Sequence, residues 1–117
     1  MEIEIIQGDT SPVYKFQRKN ADGKVITSTP QKMWITFKEN TYTNEVLFQK
    51  TLEDGINYSE EDNYYRFNIK SEDTENMPYG MYGFDIAIIN EEGEKKTLLN
   101  DGVFEVRKHY TKKQNEV

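Results

Sequence analysis

Side chains able to do acid–base, nucleophilic or metal chemistry are few in this sequence and poorly assembled. His109 is the only histidine, and it lies in a polar stretch near the C-terminus, away from any second ligand. No cysteine occurs, so disulfides, thiol catalysis, iron–sulfur clusters and thiolate zinc sites are ruled out. Without a second His or a Cys, the usual nucleophile–base pairs cannot be built. The 7 glycines are scattered singly at turns, and no glycine-rich phosphate loop is present. Paired carboxylates remain. Glu60-Glu61-Asp62 and Glu91-Glu92 are the clusters that acid–base work would use. Both sit among polar loop residues, where such runs form solvated faces. Asp9, Asp101 and the 60–62 cluster offer oxygens to a hard cation, but no spacing matches a calcium loop. These residues predict no catalytic, cofactor or metal site.

Rings are the other chemistry on offer, with 8 Tyr, 6 Phe and 1 Trp in 117 residues. Trp34, Tyr42, Tyr58 and Tyr64 fall on polar-face or loop positions. A row of exposed rings on a sheet stacks sugars or anchors a protein interface. Trp34 has two readings: a surface platform, or a core residue of a strand covered on both sides. A one-residue slip of register exchanges them.

The elements that must position these residues are strands, because period two dominates. Ile3 and Ile5 alternate with Glu2 and Glu4; Tyr14 and Phe16 follow. Met33, Ile35 and Phe37 face one way, with Trp34, Thr36 and Lys38 on the other. Val46 and Phe48, then Tyr65, Phe67 and Ile69, repeat the pattern. The longest alternation is Tyr82, Phe84, Ile86 and Ile88. Lys95–Leu99 reads as a weaker strand, and Phe104 with Val106 as the last. Gly8-Asp9, Asp22-Gly23, Asp54-Gly55, Glu92-Gly93 and Asp101-Gly102 supply turns between them, the 22–23 and 54–55 dipeptides being of hairpin type. Helical spacing is almost absent. The pattern predicts an all-β fold, an immunoglobulin-like antiparallel β-sandwich of about 7–9 strands.

Residues 71–82 are expected to turn a corner. Ser71 is placed to cap a short helical turn near 71–77, which Pro78 and Gly80 then end. Tyr82 opens the long strand on its inward face. At this corner of immunoglobulin-like sandwiches a tyrosine hydroxyl bonds to backbone a few residues upstream. Tyr82 is read in that role, with Tyr79 as substitute and an ordinary core ring as the alternative.

Net charge is −6, from 15 basic and 21 acidic residues. That balance argues against nucleic acid, which needs clustered Lys and Arg, and against an anionic membrane surface. Residues 1–107 read as a single sandwich domain and 108–117 as a polar, basic tail. The start, Met1-Glu2-Ile3-Glu4, is acidic and alternating, unlike a signal peptide. No apolar run approaches the ~20 residues of a membrane span. Lys24 and Lys38 are expected near strand ends, where they blunt edge pairing, and the basic tail is a candidate for contact with the acidic body of another copy.

A family resemblance rests on Gln7-Gly8-Asp9-Thr10, Asp54-Gly55-Ile56 and Tyr64-Tyr65-Arg66-Phe67-Asn68-Ile69 leading to Glu72-Asp73-Thr74. It continues in Pro78-Tyr79-Gly80-Met81-Tyr82-Gly83-Phe84-Asp85-Ile86 and Gly102-Val103-Phe104-Glu105-Val106. In this order the segments resemble the N-terminal domain of phage baseplate upper proteins and small immunoglobulin-like proteins of phages and prophages of Gram-positive bacteria. The resemblance spans roughly residues 5–107. It implies a virion-associated structural or assembly protein of tail, baseplate or accessory type. Such a protein is assembled in the bacterial host cytoplasm and acts through other virion proteins or self-association. It carries over no catalytic or ligand residues. In baseplate upper proteins receptor-binding modules follow this domain. The chain ends at Val117, which favours a stand-alone accessory component. The alternative is a carbohydrate- or host-surface-binding module using the ring platform.

Overall fold

The computed structural model describes residues 1–40 and 45–108. Among these residues the fold is all-β, with eight strands in one mixed sheet. They are β1 (Glu2–Ile6), β2 (Tyr14–Phe16), β3 (Lys32–Lys38), β4 (Val46–Leu52), β5 (Gly55–Tyr58), β6 (Tyr65–Phe67), β7 (Gly80–Ile89) and β8 (Lys95–Arg107). The order across the sheet is β1-β8-β7-β3-β4-β5-β6-β2. The sheet curls into a sandwich-like half-barrel. One face of the curl holds the core, including Ile3, Ile35, Phe37, Tyr65, Phe84 and Phe104. These are the inward positions of the alternation, so hydrophobic burial sets the register of each strand. Ring packing joins the strands further. Phe37 stacks on Phe48 and Phe84 at 4.3 and 5.3 Å and meets the edge of Phe104 at 5.2 Å. Phe16 stacks on Tyr65 at 5.4 Å.

The pairing is not purely antiparallel, as a simple sandwich would have it. β1 runs parallel to β8, and β4 runs parallel to β5 over two residue pairs. The second pair overturns the hairpin expected at Asp54-Gly55. Thr51 and Asp54 exchange backbone hydrogen bonds of 3.0 and 2.9 Å, while Glu53 (φ 67°) and Gly55 (φ 107°) take left-handed conformations. The chain thereby steps sideways into the next strand position without reversing.

Asp101-Gly102 does not form a turn either. The expected strands 95–99 and 104–106 are one strand, β8, with its register against β7 shifted at two points. Gly102 serves a close approach. A Cβ there would lie 2.6 Å from Cε1 of the buried Phe84 ring, so only glycine lets the ring cross the strand.

The helical turn α1 spans Ser71–Thr74. Lys70, rather than Ser71, is its N-cap. The Asp73 carboxylate accepts the Lys70 N–H at 2.8 Å and the Lys50 ammonium at 2.7 Å. The Thr74 hydroxyl accepts the Gly8 N–H at 3.0 Å, and Gln7 Nε2 donates to the Met77 carbonyl at 2.8 Å. These bonds tie the segment after β1 to the corner before β7. At that corner the Tyr82 hydroxyl donates to the Pro78 carbonyl, four residues upstream, at 2.6 Å. Lys38 belongs to the interior strand β3 and guards no edge, pairing instead with Asp85 at 2.9 Å.

A candidate binding face

Trp34 stands on the outer face of β3, opposite Met33 and Ile35, and is half-buried. The register sets it between Thr51 of β4 and Ala87 of β7, with Thr97 of β8 beyond. These neighbours are small, so the indole rises as one wall of a concavity of about 620 Å³ across four strands. Thr36, Gln49, Asp85 and Asn100 line it further. Two pairs of its polar groups bond one another. Gln49 Nε2 donates to the Thr36 hydroxyl at 2.8 Å, and Lys38 pairs with Asp85. What is left to offer a partner is the indole, Ala87, Ile89 and the exposed Val46, with Thr97, Asn100 and Lys95 as open polar groups among the described residues.

Tyr58 and Tyr64 do not join Trp34 in a platform. Tyr58 packs on the buried Tyr65 at 4.6 Å, and its hydroxyl bonds to the Thr27 carbonyl at 2.9 Å and to Asn63 Oδ1 at 2.7 Å. It is a core-side ring whose polar tip is satisfied locally, which removes it from the expected row. The Tyr64 ring has Lys15 Nζ at 4.6 Å and the Arg66 guanidinium at 5.7 Å from its centroid, so cations occupy the space a sugar would need. Tyr42 lies outside the described residues, as does His109.

Within the carboxylate clusters Glu60, Glu61 and Glu92 are exposed, as expected of loop faces, whereas Asp62 and Glu91 are held in ion pairs. Asp62 pairs with Arg66 and accepts the Tyr64 N–H at 3.1 Å. The Arg66 bond, then the Tyr64 amide, lower its pKa to about 2. Glu91 accepts from the Ser28 hydroxyl and binds Arg18 through two contacts of 3.1 and 3.4 Å. The Ser28 bond, with Arg18 behind it, holds the Glu91 carboxyl below the usual carboxylate range despite its desolvation. Arg18 is the residue that motif reading passed over. It continues the inward alternation of Tyr14 and Phe16, and that position was its one signal. Arg18 Nε and the Tyr65 hydroxyl are sealed from solvent without a well-formed hydrogen bond.

Among the described residues, no group of three His, Cys, Asp or Glu side chains is placed to hold a metal ion. No helix among them is long and apolar enough to cross a membrane. Comparison with known protein families, with curated proteins and with solved structures finds no match to this chain.

Proposed function

We propose that this chain is a non-enzymatic phage or prophage virion protein, of tail, baseplate or accessory type, that docks through the outer face of β4, β3, β7 and β8. The observation that carries the docking half is Trp34, half-exposed above a floor where Gln49 with Thr36 and Lys38 with Asp85 already bond one another. A protein partner covers such a face by dry contact and uses the indole as its anchor, the arrangement typical of interface hot spots. A glycan needs outward-facing donors and acceptors beside its stacking ring, and here Thr36, Gln49, Lys38 and Asp85 are engaged, leaving Lys95, Thr97 and Asn100 for that reading. The virion half rests on the resemblance to phage immunoglobulin-like proteins, and the all-β fold agrees with it. Fold by itself does not select a role.

The test is binding to particles. Virions prepared from a strain lacking this gene are mixed with the purified protein and sedimented through a density gradient. The protein is expected to co-sediment at a fixed ratio, and Trp34→Ala to lower retention at least tenfold, about 1.4 kcal/mol. Failure to co-sediment, with a saturable change of Trp34 emission on adding a cell-wall polysaccharide, would replace this reading with a glycan-binding module. Trp34 is the only tryptophan, so the emission reports on this face alone.

A further inference from the structure

The curled sheet is left open along one seam. β1 pairs only with Val103–Arg107, so the first half of β8, Lys95–Asp101, has β7 on one side and no strand on the other among the described residues. Along this free edge runs a second groove of about 580 Å³. Lys96–Leu99 form one wall, Phe16–Lys19 with Ile26 the other, and the core residues Ile86 and Ile88 contribute to the lining between them. The lining includes Arg18, Lys19 and Lys96 but no carboxylate, although the chain as a whole carries a net charge of −6. Arg18 is neutralised by Glu91. Lys19 and Lys96 make no ion pair among the described residues.

We propose that this seam accepts an extended segment of a partner protein, one in which apolar side chains alternate with acidic ones, added as a strand to Lys95–Leu99. Three features select that occupant. A strand places alternate side chains on opposite faces, so every second residue enters the apolar groove. The unpaired main-chain groups of β8 gain partners from an incoming backbone, as in other strand-addition complexes. Acidic side chains, on the opposite face, meet Lys95, which pairs with Ile89 on the outer side of β8 while Lys96 pairs with the core residue Ile88 on the groove side. Self-pairing is discouraged at the same edge, because Lys95, Lys96 and the two register shifts are features that blunt edges against their own copies. A single-chain amphiphile fills the groove but leaves the edge amides unpartnered. The groove opens on the other side of β8 from the Trp34 concavity, with Thr97 lining both, and amide protection along β8 reads it whether or not the Trp34 face docks on a virion.

The test uses a blocked synthetic peptide of alternating valine and glutamate, with a valine–lysine peptide and decanoate as comparisons, and reads amide hydrogen exchange residue by residue. Saturating valine–glutamate peptide is expected to slow exchange at Lys96–Leu99 by about tenfold or more, with the lysine peptide binding about tenfold more weakly. Lys95→Glu changes an exposed side chain on the outer face and keeps the test independent of folding. It should invert the preference between the two peptides. Unchanged exchange at Lys96–Leu99, protection elsewhere, or decanoate binding without any peptide effect would overturn the proposal, as would an unaltered preference in Lys95→Glu.

Discussion

Arg18 and Glu91 form an ion pair with unequal environments, one partner buried and the other partly exposed. The Arg18 side chain is 6% exposed and that of Glu91 28%. Removing one partner of a buried pair strands the other charge, and the cost depends on how dry the stranded group is. Glu91→Gln leaves a buried cation facing a neutral amide, whereas Arg18→Met leaves a half-solvated carboxylate still bonded to Ser28. Glu91→Gln is therefore expected to destabilise the fold by about 2 kcal/mol in urea denaturation, and Arg18→Met by less. Asp62 governs a different window. Its pKa falls from 3.8 to about 2 on folding, so its contribution is present above the unfolded value and disappears as pH drops through the folded one. Asp62→Asn should flatten the stability–pH curve between roughly pH 4 and pH 2 and leave its slope at neutral pH unchanged. At this scale Tyr82 was legible, because its place after Pro78 and Gly80 defines a corner. Arg18 was legible in principle from its inward position. Glu91 was not, since nothing local distinguishes it from Glu92, and its partners lie 63 and 73 residues away.

Among the elements, the strands follow directly from period two, since each buried residue of β1, β3, β6 and β7 that alternation assigned inward is a core residue. The turns divide by mechanism. At 20–24 and 90–94 the same device closes a hairpin. Asn20 Oδ1 accepts the N–H groups of Asp22 and Lys24, and Asn90 Oδ1 those of Glu92 and Glu94. Asp22-Gly23 and Glu92-Gly93 were readable because these bonds are local. Asp54-Gly55 and Asp101-Gly102 carry the same local signal and take other conformations. At 54–55 the sheet requires a sideways step, and at 102 the distant Phe84 ring requires an open Cα. Gly102→Ala is accordingly expected to cost about 1–3 kcal/mol by overpacking against a ring with no room to retreat. Shortening that ring in Phe84→Leu should make the same Gly102→Ala change cheaper, a coupling that a double-mutant cycle by thermal or urea denaturation measures. If alanine at 102 is neutral in both backgrounds, glycine is present there for another reason.

For the whole molecule, alternation gives strand faces but not strand neighbours, so the all-β class was readable and the sheet order was not. Two parallel pairings, each joining residues through non-local or sideways connections, convert the expected pair of sheets into one curled sheet. Its convex side then presents Trp34 over small residues of three neighbouring strands, and its unclosed side presents the free edge of β8. The sequence left Trp34 between core and surface, because its strand neighbours, not its own alternation, decide how much of the indole is covered. Both surfaces suit a protein held between others. In a symmetric assembly such a component repeats with the symmetry of the particle. The most direct measurement is the copy number of this protein per particle, by quantitative mass spectrometry of purified virions from a strain that carries the gene, with wild-type Trp34 and with Trp34→Ala. A constant copy number matching a multiple of the particle's rotational symmetry, lost in the variant while its circular dichroism stays that of the folded protein, is the predicted result. Absence from the particles, or a variable trace that Trp34→Ala does not alter, would contradict the account.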